Sequence, residues 1–312
     1  YQHGLAYGLL RVALCQHLLA IEPESCLAHL SQGIGLFDAL GDARGACEAV
    51  NLLANIHAAR SEHMPALELY QRSLALRRQL GDRVGEAGTL NNMGLVFRQT
   101  AQFADALKYL LMSLEVAEAA EDQRATAYAL TNIGGVLADL GDSAHALQYH
   151  LRGLTLIRQT EDRAHEGSTL ASLGRLLTQT GHHAEALEHL QEALQLAQRA
   201  GHLGDTCAAL LGLGLAHQHA GDHGRAERLL LEALSLARRT ANRVVEAEVL
   251  LALGRNRWLQ GDAGPGIELL DHALSMARDL QADHVAGRLH QLLSQVHEQA
   301  GRFDLALREF KA

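Results

Sequence analysis

Apolar residues recur along this chain with helical spacing, and the pattern itself returns every 40 residues. The segment from 89 to 110 reads TLNNMGLVFRQTAQFADALKYL, in which apolar side chains three and four positions apart predict two amphipathic helices with a short break between them. Blocks that begin at 81, 121, 161, 201 and 241 repeat this arrangement in register. A fixed period of this length is typical of a solenoid in which each unit stacks on its neighbours.

Turn signals divide each unit into two helices of roughly 16 residues. A glycine suited to a left-handed backbone precedes an aspartate suited to cap a helix at 41–42, 81–82, 141–142, 221–222 and 261–262. Pro65 and Pro265 fall in the first turn of a second helix, where a missing N–H is tolerated. We therefore predict one array of units at 1–40, 41–80, 81–120, 121–160, 161–200, 201–240, 241–280 and a truncated 281–312.

Small residues occupy two columns of the repeat. Glycine stands at 94, 134, 174, 214 and 254, and alanine stands at 66, 106, 146, 186, 226 and 306. Glycine inside a helix costs roughly 0.5–1 kcal/mol relative to alanine, so its recurrence predicts a close approach of the two helices of each hairpin. The outer units depart from this rule, with Leu14 and Ser294 in the glycine column.

These columns resemble the signature of the tetratricopeptide repeat, W-x2-L-G-x2-Y followed by small and aromatic positions in a second helix. The residues at its spacings in the third unit are Leu90, Met93, Gly94, Phe97, Ala106, Leu110 and Ser113. The 40-residue unit, with Glu118 in place of the family's proline, is similar to the extended-helix branch found in Pins/LGN-type polarity adaptors, kinesin light chains and bacterial sensor proteins. The resemblance implies an all-α, right-handed solenoid of about eight helix hairpins.

The charge balance argues against a nucleic-acid partner. The chain has 27 Lys and Arg against 36 Asp and Glu, a formal net charge of −9, and no basic stripe. Cys15, Cys26, Cys47 and Cys207 show no metal or redox spacing and are interpreted as buried thiols in a reducing compartment, the cytoplasm. Apolar runs are too short to indicate a membrane partner. Because the sequence begins at Tyr1 and ends at LREFKA, we expect a fragment of a longer polypeptide.

The resemblance also implies a binding surface. In the family, the first helices line a concave face, and ligand contacts come from residues three, four and seven apart on those helices. The candidate ligand-binding residues are Glu48, Asn51, Asn55, Asn91, Arg98, Tyr128, Thr131, Asn132, Arg175, Leu211, Leu215, Leu251, Arg255 and Trp258. Unlike the core columns, these positions vary from unit to unit, as reading one particular ligand requires.

The chemistry of this set predicts a groove that is polar at one end and apolar at the other. Its asparagines offer both a donor and an acceptor and are predicted to pair with an extended peptide backbone. Its arginines are predicted to form forked contacts with ligand carboxylates. The leucines and the tryptophan are predicted to form an apolar pocket for ligand side chains.

Neither a cofactor nor a catalytic site is predicted. The chain has 19 histidines, but His57, His217 and His297 share an interhelical packing column and the pair at 182–183 lies in a predicted turn. No HExxH motif or Cys/His ligand set is present, so a bound metal is not expected. A catalytic site is one unique constellation, whereas every prominent feature here is repeated, so this fragment is not predicted to be an enzyme.

The sequence is therefore interpreted as a protein- or peptide-binding scaffold or sensory module within a larger bacterial signalling protein. Two alternatives stay open. The first is an architectural module that self-associates as a homodimer through the N-terminal repeat, because the first helix lacks the polar outer face of a terminal cap. The second is a regulatory domain fused to an output enzyme such as a diguanylate cyclase.

Overall fold

The computed structural model describes residues 1–18, 23–280 and 282–311, and the chain divides into two compact units, Tyr1–Glu161 and Asp162–Ala312. The described residues form 16 helices and no strand, with 87% helix. This confirms the predicted all-α class and the helix-hairpin repeat. The expectation that 1–312 forms one array stays a prediction, and residues 19–22 of its first unit lie outside the described part.

The helices follow the predicted repeat units closely. In the first unit they are α1 (Gln2–Leu18), α2 (Pro23–Leu40), α3 (Ala43–Ala59), α4 (His63–Leu80), α5 (Arg83–Gln99), α6 (Phe103–Ala119), α7 (Gln123–Asp139) and α8 (Ser143–Gln159). In the second they are α9 (Arg163–Gln179), α10 (His183–Ala200), α11 (Leu203–His219), α12 (His223–Arg239), α13 (Arg243–Leu259), α14 (Ala263–Asp279), α15 (Asp283–Gln299) and α16 (Phe303–Lys311). Among the described helices none combines the length and apolar character that crossing a membrane requires.

The predicted Gly-Asp turns are present, with one exception in their capping. All five glycines adopt a left-handed backbone, from φ 67° at Gly81 to φ 93° at Gly261. The following aspartate accepts the backbone N–H three residues on in four turns, as Asp82 does from Gly85 at 2.9 Å. Asp262 forms no such cap, because the residue three positions on is Pro265, which has no N–H.

The glycine column marks the close approach of paired helices, as predicted. A Cβ placed on Gly94 would lie 2.6 Å from Cγ of Leu110 and 3.2 Å from the carbonyl oxygen of Ala106. A Cβ on Gly174, Gly214 or Gly254 would likewise lie 2.5–2.7 Å from the leucine that packs against it. At Gly134 the corresponding contact, with His150, is 3.0 Å. Leu110 therefore occupies the space that a side chain at 94 would need, and glycine permits the pair to pack.

Leucine columns fill the space between stacked hairpins. The first-helix column, Leu90, Leu130, Leu170, Leu210 and Leu250, is at most 1% exposed. Burying one such side chain stabilises the fold by about 1.5–3 kcal/mol. Within the first unit, α5 contacts α3 and α7 as well as its hairpin partner α6, so the first helices form a continuous row.

The prediction that the thiols are buried is correct for three of the four cysteines. Cys26 and Cys207 donate to the carbonyl oxygens of Ala13 and Ala233, both at 3.2 Å, and Cys47 is also buried. Cys15 is exposed, which corrects the prediction for that residue. The reason is its position on the outer side of α1, where no hairpin covers it among the described residues.

Candidate functional site

Eight of the predicted ligand-binding residues lie in the first unit, on α3, α5 and α7. They are Glu48, Asn51, Asn55, Asn91, Arg98, Tyr128, Thr131 and Asn132. Glu48 is exposed, Asn91 is 9% exposed, and the others are partly buried. We call the row of side chains that includes Asn51, Asn91 and Tyr128 the first-helix face of this unit.

The asparagines of this face pair with one another between hairpins. Nδ2 of Asn132 donates to Oδ1 of Asn91 at 2.8 Å, which joins α7 to α5. Oδ1 of Asn55 accepts from Nδ2 of Asn92 at 3.2 Å and from the hydroxyl of Tyr70 at 2.7 Å. Burial raises the pKa of Tyr70 to about 12 although the hydrogen bond from Asn92 acts in the opposite direction, so this hydroxyl stays protonated and remains a donor at neutral pH.

A cavity of about 250 Å³ opens on the first-helix face, and we call it the Gly88 pocket. It is lined by Asn51, Arg77, Gly85, Ala87, Gly88, Thr89, Asn91, Asn92, Ser113, Ala125 and Tyr128. A Cβ on Gly88 would meet nothing within 4 Å, whereas the equivalent positions of the adjacent repeats carry Glu48 and Tyr128. The absence of a side chain at Gly88 therefore leaves this part of the face open.

Arg98 is tied into the wall between two hairpins. Its Nε lies 2.6 Å from Oδ2 of Asp139, and its guanidinium covers Gly135, where a Cβ would lie 2.6 Å from Nη1. Nearby, the hydroxyl of Thr131 donates to the carbonyl of Tyr128 at 3.0 Å. Arg98 was predicted to contact a carboxylate of the ligand, and in the structure it contacts the carboxylate of Asp139 in the same unit.

The second unit holds the other six predicted residues in a different environment. Arg175 is exposed, and Arg255, Leu215 and Trp258 are partly buried. Leu211 and Leu251 are 9% and 5% exposed and belong to the hydrophobic core of this unit. Burial lowers the pKa of the Arg255 guanidinium, and the nearby charge of Arg288 lowers it further. Of the residues predicted to form an apolar pocket in this unit, Leu215 and Trp258 remain partly accessible, and both pack against the core.

Sequence reasoning missed a second amide network, in the second unit. Asn256 is fully buried, donates to the carbonyl of His223 at 3.0 Å and accepts at 3.1 Å in a hydrogen bond with Nδ1 of the same histidine. Nε2 of Gln218 donates to the carbonyl of Ala252 at 3.0 Å. The sequence analysis also did not select Asn92 in the first unit. The adjacent amides Asn91 and Asn92 were a signal in the sequence that could have identified it.

The histidines are distributed rather than gathered. His183 is the first residue of α10 rather than part of a turn, and its ring stacks on that of His219 with centroids 6.1 Å apart. Burial, followed by the charges of Arg255 and His183, lowers the pKa of His219. Across residues 1–18, 23–280 and 282–311, no three potential ligand side chains converge as a metal site requires.

Solved structures of other proteins share this fold. They include a Rap protein complexed with Competence and Sporulation Factor, 15% identical with a TM-score of 0.72 over 99% of this chain and 94% of that chain. The Rap conjugation gene regulator of the plasmid pLS20, in complex with the Phr* peptide, is 13% identical with a TM-score of 0.72 over 92% and 82%. The apo quorum sensor NprR from B. thuringiensis is 13% identical with a TM-score of 0.69 over 98% and 85%. At these identities the likeness shows the fold alone.

Sequence comparison gives the family. No curated protein matches the chain. The family model described as tetratricopeptide repeat matches residues 46–119, 124–199 and 205–279, which is well over half of the sequence. These segments contain the glycine column, the first-helix leucine column and, apart from Ala306, the alanine column. The chain belongs to the tetratricopeptide repeat family.

Proposed function

We propose that this chain is a binding module that holds an extended peptide segment, free or part of a partner protein, along the first-helix face of the first unit. One observation carries the proposal: the Gly88 pocket opens where predicted contact residues from three consecutive repeats meet. Asn51, Asn91 and Tyr128 all line it. A concave site with a few convergent polar groups is the usual form of a ligand site in a protein.

The polar groups of this face suit a peptide. Asn51 has no hydrogen-bond partner among the residues that the structure describes, so both its amide donor and its acceptor are available. A peptide unit presents one N–H and one C=O, which an asparagine side chain can pair with together. The two Rap structures were solved with a factor or a peptide bound, which supports the same class of ligand for this fold.

The second unit would supply a separate contact surface in this proposal. The side chains assigned to the ligand there are Leu215, Arg255, Trp258 and the exposed Arg175. The two predicted leucines that are buried would support this surface from the core rather than contact the ligand. Arg255 forms no ion pair within the described part of the chain, so its charge is available to a ligand carboxylate.

We further propose that the module acts in the cytoplasm, as the sensory or scaffolding part of a bacterial signalling protein. The described cysteines are free thiols, and a reducing compartment preserves thiols in that state. Binding rather than catalysis is the proposed role of this chain. A fused output enzyme finds no support in the comparisons and is not part of the proposal.

Selection of a random displayed peptide library on the whole chain tests the proposal. We expect peptides that bind wild type and that lose about tenfold in affinity for each of Asn51→Ala and Asn91→Ala, because each removes hydrogen bonds worth about 0.5–1.5 kcal/mol. The matched control is Gln71→Ala, which removes an exposed amide from the second helix α4. Failure to select any binding peptide, or equal affinity of all four proteins measured by fluorescence anisotropy, would refute this site.

Self-association through the N-terminal repeat is a second candidate, favoured by the surface of α1. Leu5, Val12 and Leu14 are 39%, 46% and 41% exposed on this helix. Leu5 and Val12 are seven residues apart and therefore share one face. An exposed apolar strip on a helix is a candidate contact surface for a second copy of this chain.

A further inference from the structure

The Gly88 pocket is smaller than a typical small-molecule site but large enough to admit a side chain. Its volume of about 250 Å³ is below the roughly 300–1,000 Å³ that is typical of pockets for drug-sized ligands. Its walls combine small apolar residues, Gly85, Ala87, Gly88 and Ala125, with a rim of amides. Such a pocket fits a short apolar stem that ends in a polar group.

The charge of the pocket walls disfavours an ionised group. No acidic residue lines the cavity, and the only cation in its lining is Arg77. Nη1 of Arg77 lies 2.7 Å from Oδ2 of Asp82, so its charge is already compensated. A carboxylate or an ammonium group placed there would lack an uncompensated counter-charge, and burying an unpaired charge is costly.

The pocket lining offers a ligand both hydrogen-bond donors and hydrogen-bond acceptors that are not used within the part of the chain that the structure describes. Thr89 and Ser113 use their hydroxyl protons on backbone carbonyls at 3.1 and 2.8 Å. Asn91 uses Oδ1 to accept from Asn132, which leaves its Nδ2 as a donor. Asn92 uses Nδ2 to donate to Asn55, which leaves its Oδ1 as an acceptor.

Asn51 completes this pattern, because both groups of its amide are without a partner in the described part of the chain. A carboxamide is the side-chain group that offers one acceptor and two donors at neutral charge. We propose that the Gly88 pocket holds one carboxamide side chain, glutamine or asparagine, of the bound peptide. This inference rests on the proposed peptide-binding function and gives it a sequence preference.

Gly88 is the residue that sets this preference. The same column carries Glu48, Tyr128 and Ser168 in other repeats, so the pocket exists in this repeat because 88 has no side chain. Gly88→Leu places a side chain in the cavity without a clash at Cβ. Gly287→Leu is the matched control, since Gly287 is also an exposed helical glycine whose Cβ would meet nothing within 4 Å.

The test uses the peptides selected on the whole chain. We expect glutamine or asparagine to be enriched at one position, and its replacement by alanine or by the corresponding acid to weaken binding at least about tenfold, because either leaves pocket amides unpaired. In Gly88→Leu the carboxamide peptide and its alanine variant should bind equally, whereas Gly287→Leu should keep the difference. Circular dichroism checks that both variants are folded.

A milder substitution at Gly88 and a capped glutamine probe test the pocket independently. If Gly88→Leu does not fold, Gly88→Ser, which introduces the side chain found at Ser168, should reduce the discrimination between the two peptides. Acetyl-glutamine methylamide should shift the backbone NMR signals of Asn51, Gly88 and Asn91, and acetyl-glutamate methylamide should not. Peptides that bind without any carboxamide preference, or a preference unchanged in the Gly88 variants, overturn this inference alone. A chain that selects no peptide overturns the proposed function.

Discussion

Gly88 and Gly94 lie in the same helix, α5, and have opposite surroundings. Gly94→Ala should lower the free energy of unfolding by about 1–3 kcal/mol, because its Cβ would lie 2.6 Å from Leu110 and overpack the hairpin. Gly88→Ala should raise it by about 0.4–1 kcal/mol, because its Cβ meets open space and the unfolded chain loses freedom. Urea denaturation of the two variants measures the difference. Stabilisation by both variants would show that the close approach at 94 is unimportant.

Single residues also show where sequence reasoning reaches its limit. The glycine column could be predicted because each position repeats and one steric requirement explains them all. The pairing of Asn91 with Asn132, and of Asn55 with Asn92 and Tyr70, could not be predicted. A column indicates which face of a helix a residue occupies, but a hydrogen bond between hairpins depends on rotamers and on separations of a few ångströms. The Gly88 pocket was missed for the same reason, since a cavity is defined by what its neighbours leave unfilled.

At the scale of the helices, a buried carboxylate joins α4 to α5. Glu86 is 3% exposed and accepts from Arg78 of α4 at 2.7 Å and from Arg83 at 3.0 Å. The same column carries Glu166 and Glu246, while Thr126 and Thr206 occupy it in the alternate repeats. Glu246 also accepts from the preceding helix, through Nε of Arg238 at 2.8 Å.

This link predicts a pH dependence of stability. Burial alone raises the pKa of Glu86, but the hydrogen bonds and charges of Arg78 and Arg83 outweigh burial and lower it overall. Because the pKa of Glu86 is lower in the folded state, the link stabilises the fold at pH values above the pKa of the unfolded state, about 4.3. This stabilisation is lost as the pH falls through the pKa of the folded state. Glu86→Gln should therefore cost about 1 kcal/mol at pH ~7 and progressively less below pH ~4.

An exposed acidic residue serves as the control for the link made by Glu86. Glu115 is exposed on α6, so Glu115→Gln should leave the pH profile of thermal unfolding close to that of wild type. A constant difference between Glu86→Gln and wild type from neutral to acid pH would contradict the assigned role of the carboxylate.

For the molecule as a whole, the 40-residue period explains why the helices could be predicted. Each hairpin owes its position to the columns it shares with its neighbours, so every described helix falls inside its predicted unit. The period is equally consistent with one array or with two, and the contacts group the chain into Tyr1–Glu161 and Asp162–Ala312. The packing columns therefore predict which helices are neighbours, and the single array over 1–312 stays a prediction.

Self-association through α1 is a prediction about the whole molecule. Leu5 and Val12 form an exposed apolar strip next to Gly4 and Gly8, where added side chains would meet nothing within 4 Å and a partner helix could approach closely. If this strip is a dimer contact, multi-angle light scattering should show a mass that rises with protein concentration, and Val12→Glu should lower it to that of the monomer, because the contact would bury an unpaired charge. Leu231→Glu, at a residue 50% exposed on α12, is the matched control and should leave the mass unchanged. A wild-type mass that equals the monomer at every concentration would exclude self-association and leave peptide binding as the proposed role.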